Sequence, residues 1–145
     1  MIPRQALILG LAGLLPFLWS VATVLSPGLA DVTLHWVGPR FVGPYVGLAY
    51  GTIILAFMSG TLWGFAVRAT GGLYYALSVI PALWAFFLVG GGPEQATIWL
   101  ALGFVGLLGF DWLFWRAGLA PVWWMRLRLI LSAGVLASLA AALYA

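Results

Sequence analysis

From Ala6 to Leu25 the chain runs through about 20 residues without a charge, and comparable runs recur four more times before the sequence ends. A run of that length, coiled as a helix, reaches across the ~30 Å hydrocarbon layer of a bilayer. Nothing constrains the fold more. Backbone amides inside lipid must bond within their own segment, so the spans are helices. Only 6% of residues are charged, against about 25% in a soluble domain, and 65% are hydrophobic. That charge cannot clothe a water-facing surface.

The pattern predicts five spans, over Gln5–Leu25, Pro44–Val67, Leu73–Val89, Gln95–Trp115 and Val122–Tyr144. The expected architecture is an all-α integral membrane protein, a bundle of five transmembrane helices forming a single domain over residues 1–145. Met1-Ile-Pro-Arg4 and the apolar run after it resemble a signal peptide. The run exceeds the ~7–15 residues of a signal core, so it is read as a retained first helix. Pro16 and Pro81 should kink spans one and three. The connection Pro27–Val42 carries Val32, Leu34, Trp36 and Val37, enough apolar surface to rest on the bilayer.

The second span carries small residues at four-residue spacing: Gly43, Gly47 and Gly51, then Ala56, Gly60 and Gly64. Small residues let helix backbones approach closely in lipid, where the hydrophobic effect gives helices little reason to pair. Each trio is expected to hold a neighbour, making this the central helix.

With five spans, Arg4, Arg68, Arg116, Arg126 and Arg128 fall at one end of the bundle and Arg40 alone at the other. The positive-inside rule then predicts a cytoplasmic N-terminus and a C-terminus on the opposite side. Trp63, Trp112, Trp115, Trp123 and Trp124 gather at the arginine-rich end, as an interfacial aromatic belt would. There is no basic cluster of the kind that reads nucleic acid, and no cysteine.

Asp111 is the most informative polar group. It lies about five residues inside its span, roughly 7 Å deep, where a carboxylate needs a partner. Arg126 and Arg128 stand at similar depth on the next span. Residues two apart point different ways, so Asp111 can face only one of them well. Either Asp111 and an arginine lock two spans together, or Arg68, Arg126 and Arg128 form a site for an anion or lipid phosphate. His35 and Asp31 fall short of the three or four ligands that zinc takes. Serines such as Ser59 have no histidine base, and Ser59 and Thr61 are expected to bond backbone or neighbouring helices. No catalytic residue, cofactor or metal site is therefore assigned, and no enzyme is expected.

Two stretches carry a resemblance. In the first, Tyr50, Gly51, Ile54, Leu55, Phe57, Gly60, Trp63 and Gly64 resemble the signature of an uncharacterised inner-membrane family, domain of unknown function 3429, to which transmembrane protein 69 is similar. In the second, Asp111, Arg116, Pro121, Trp123-Trp124, Arg126 and Arg128 resemble that family's closing motif. Ala56 departs from it, since serine is expected there. The resemblance implies a five-span inner-membrane protein and no activity. The tryptophan-rich sensory protein family shares only the gross plan.

Two functions are weighed. One is an accessory subunit or assembly partner of a larger complex, respiratory or otherwise energy-transducing, in a bacterial inner membrane, with lipid and other membrane proteins as partners. The other is a binder or carrier of a lipid, quinone or tetrapyrrole, with a site among spans two, four and five lined by Tyr50, Trp63, Trp112 and Arg128.

Overall fold

The computed structural model describes residues 1–144 and is helical throughout. Its helices are α1 (Arg4–Ala12), α2 (Leu15–Leu25), α3 (Pro27–Val37), α4 (Tyr45–Ala66), α5 (Leu73–Leu88), α6 (Pro93–Arg116) and α7 (Trp124–Tyr144). Among the described residues, four segments are long and apolar enough to cross a membrane: Arg4–Leu25 taken together, α4, α6 and α7. The expected third span is the exception, because α5 has only 16 residues. Large apolar side chains cover the outside, among them Ile53, Phe57, Phe86, Phe87, Leu102 and Val105. In water such a surface would aggregate; in lipid it is at home.

The first span breaks at Gly13-Leu14, just ahead of Pro16. Pro16 has no N–H to offer the carbonyl of Ala12; Gly13 N–H is shared between the Leu9 and Gly10 carbonyls, and Leu14 N–H turns tightly back to Leu11. The break changes what the two halves touch. Below it α1 leans on α7; above it α2 packs on both α4 and α7. The connection expected to lie on the bilayer is a helix, α3, with Val32, Leu34, Trp36 and Val37 exposed. It is capped by Ser26, whose Oγ accepts the Leu29 N–H.

α4 packs against α2, α5 and α6. Gly43 lies against the Ser20 carbonyl, a Cβ on Gly47 would sit 2.7 Å from Ser20 Oγ, and one on Gly51 would sit 2.6 Å from Leu100. These glycines are where α2 and α6 come close. Ala56, Gly60 and Gly64 are different and correct the expectation of two occupied grooves. All three are exposed, and a Cβ on Gly60 or Gly64 would meet nothing within 4 Å. The reason is angular. Ala56 follows Gly51 by five residues, about 140° round the helix, so the second trio faces away from the bundle. Leu55, Ser59, Leu62 and Ala66 fill the angles between and are buried.

The core runs through Phe17, Leu55, Leu62, Leu100, Phe104, Leu107 and Phe114, all about 1% exposed or less. Helices also come close outside the glycine ladder, with Trp84 over Gly103 and Leu14 over Gly134. Pro81 lies within α5, and the Ala82 N–H next to it donates to Ser59 Oγ of α4 at 2.8 Å. Thr61 Oγ1 bonds its own helix at the Phe57 carbonyl.

Candidate functional site

The site grows from the turn between α6 and α7. Gly118, at φ +77°, closes α6. Its N–H reaches the Trp115 carbonyl, and the Leu119 N–H reaches Phe114, while buried Leu119 seals the end. This is a Schellman ending, and a residue with a Cβ would be strained at Gly118. The chain then turns at Pro121 and starts α7 antiparallel to α6. That return places Asp111, just over one turn inside α6, opposite Trp124 and Arg128 on α7.

Asp111 is fully buried. Its Oδ2 accepts from Arg128 Nε at 2.8 Å, and its Oδ1 accepts from Trp124 Nε1 at 3.0 Å. Trp124 and Arg128 are four residues apart and share one face of α7. The Trp124 ring is held edge-on by Phe65 of α4, 5.0 Å between centroids. Of the two candidate arginines, Asp111 thus meets Arg128; Arg126 and Arg68 are exposed and take no part in this ion pair. Of the three arginines only Arg128 is buried. Arg128 is not fully used. Its Nη2 is buried with no hydrogen-bond partner among the described residues, and so is Ser132 Oγ, one turn further along α7.

Two cavities flank the first span. One, of about 410 Å³, is lined by Leu9, Gly13, Phe17, Tyr50, Phe57 and Arg128, among others. The other, of about 680 Å³, is larger and more open, with Leu15, Trp19, Phe41, Tyr50 and Ile53 in its walls. Its charged residue, Arg40, is exposed, so the smaller cavity is the one that meets a buried polar group.

A model of the family described as "Protein of unknown function (DUF3429)" matches residues 2–144. The chain belongs to that family. This DUF3429 chain is also 32% identical over 148 residues to a protein of Xenopus tropicalis called Transmembrane protein 69, across 97% of its own length. It spans 54% of that relative. No solved structure matches.

In this DUF3429 protein the four residues expected to line one cavity part company. Tyr50 and Arg128 share the smaller cavity, and its remaining wall comes from the first span as well as α4, α6 and α7. Trp63 is half-exposed against Tyr75, 4.7 Å between ring centroids. Trp112 faces outward with the Arg116 guanidinium 5.1 Å from its ring. The sequence reading missed Trp124 as a partner of the carboxylate and placed it in the aromatic belt. The signal was available: once Arg128 faces Asp111, the residue four before it must face the same way.

Proposed function

We propose that the protein is a non-enzymatic, five-span subunit or assembly partner of a larger complex in a bacterial inner membrane. It docks through the outward face of α4. The observation that carries this reading is the exposed row Ala56, Gly60, Gly64, with open space above the two glycines, on the helix that three others grip. A row of small residues with nothing on it accepts the backbone of another helix. Arg68 lies exposed at the end of that row. A second copy running parallel would bring Arg68 beside Arg68, so the arginine favours a different protein with an acidic group at that level. The arginine bias supports a cytoplasmic N-terminus, with α5 as the shortest of five spans.

The chain has no cysteine, which makes the test direct. With a photo-crosslinker tethered to a cysteine placed at Gly60 in otherwise native membranes, illumination should give an adduct whose mass is not twice that of the chain. Gly60→Leu should abolish co-isolation of that partner in mild detergent while leaving thermal stability unchanged. A wild-type chain that is always isolated alone and monomeric defeats the reading. In the same background, cysteine at Thr70 should be shielded from an impermeant thiol reagent in intact cells, and labelling there would reverse the orientation.

The second reading, a binder of a lipid or other small molecule, has its own support: Tyr50 and Arg128 line one cavity of a size that holds small ligands.

A further inference from the structure

The cavity beside Arg128 is lined along the bundle axis by several helices. Its wall runs from Tyr50 to Met58 on α4, from Arg128 to Val135 on α7, and from Leu9 to Phe17 on the first span. At 1.5 Å per residue each wall covers about 10–12 Å along the bundle axis. The break at Gly13 leaves α1 leaning on α7, and the cavity lies between the first span and α4. Polar character sits at one end. Arg128 is one turn inside α7, at the end of the bundle that also carries the exposed Arg4, Arg68, Arg116 and Arg126. Asp111 is the acid at that end, so the end as a whole is cationic. The rest of the lining named here is apolar apart from the Tyr50 hydroxyl.

A guanidinium carries five N–H donors, and Nε spends one on Asp111. Nη2 has no acceptor among the described residues, although a buried donor without one costs free energy. A ligand acceptor at the cavity wall, met by a small turn of the guanidinium that uncovers Nη2, removes that cost. We infer that this cavity holds an acyl chain of an anionic amphiphile, with the head oxygens on the Arg128 guanidinium and the chain running toward Tyr50. The amphiphile is a fatty acid, or an anionic phospholipid whose second chain stays in the bilayer. This rests on reading the cavity as a binding site and is independent of docking on α4.

The test uses the full chain in neutral detergent and native mass spectrometry with four probes: oleate, oleyl alcohol, dioleoyl phosphatidylglycerol and dioleoyl phosphatidylcholine. At least one anionic probe should bind about tenfold more tightly than its neutral counterpart, the contribution of one charge-assisted hydrogen bond. Which anionic probe binds more tightly identifies the source. Arg128→Lys should reduce that preference, because a compact ammonium cannot serve Asp111 and a second acceptor as a planar fork does. Ile54→Trp narrows the cavity from α4, leaving Asp111 and Arg128 themselves unchanged, and should weaken binding. Equal binding of charged and neutral probes overturns the anionic head, and undiminished binding by Ile54→Trp overturns the location. Failure of all four probes to bind removes the reading of the cavity as a binding site as well.

Discussion

Replacing Asp111 by Asn keeps the side chain's shape and strips its charge, leaving the Arg128 cation in a site where its side chain is 5% exposed. Breaking one partner of a buried ion pair costs about 3–5 kcal/mol. Arg128 lies one turn, about 6 Å, inside its helix, so it can relax partway toward the head groups, which favours the lower end, about 3 kcal/mol. Arg128→Met, which orphans the carboxylate instead, should cost a similar amount. The double variant removes both charges together. If the two groups stabilise the fold only through each other, it costs about 3 kcal/mol rather than the sum of about 6, a coupling near 3 kcal/mol, the top of the range seen for contacting residues. Reversible unfolding in mixed micelles with rising dodecyl sulfate, followed by tryptophan fluorescence, measures all four corners of the cycle. Additive costs, with coupling below about 0.5 kcal/mol, would refute the claim that this pair locks α6 to α7.

Gly51→Ala should destabilise by about 1–3 kcal/mol, because the new methyl meets Leu100 at 2.6 Å, whereas Gly60→Ala should be neutral or stabilising by up to about 1 kcal/mol. The same unfolding assay compares them, and equal effects would remove the distinction between the two faces of α4. Ser59→Ala should cost about 1–3 kcal/mol, since the Ala82 N–H beside Pro81 loses its acceptor. A variant as stable as the parent would show that this bond holds nothing.

What could be read from the sequence followed from lengths and spacings. Long, mostly apolar runs place α4, α6 and α7 within a few residues of where they lie, and the four-residue glycine spacing marks where α2 and α6 approach α4. Counting five residues from Gly51 to Ala56 already turns the second trio away from the first. The choice of Arg128 over Arg126 was out of reach, because it depends on how Gly118 and Pro121 aim the start of α7, and that aim is three-dimensional. The cavity was legible only in part: Tyr50 and Arg128 were expected to line it and do, but the wall that the first span contributes was not expected. It exists because Pro16 parts the first span into two pieces with different neighbours, and a predicted kink carries no information about which neighbour each piece will choose.

The shortness of α5 has a consequence for the membrane itself. Sixteen residues rise only about 24 Å, against a hydrocarbon layer of ~30 Å, while the 24 residues of α6 alongside rise about 36 Å. Taken as a span, α5 leaves a deficit on one flank that lipid must make up by thinning there, at a fraction of a kcal/mol for each ångström. Phe86 and Phe87, exposed near one end of α5, mark that flank. The protein then carries a preference for thin bilayers on one side of its circumference, a bias that sorts it among membranes and draws it toward neighbours that thin the bilayer in the same way.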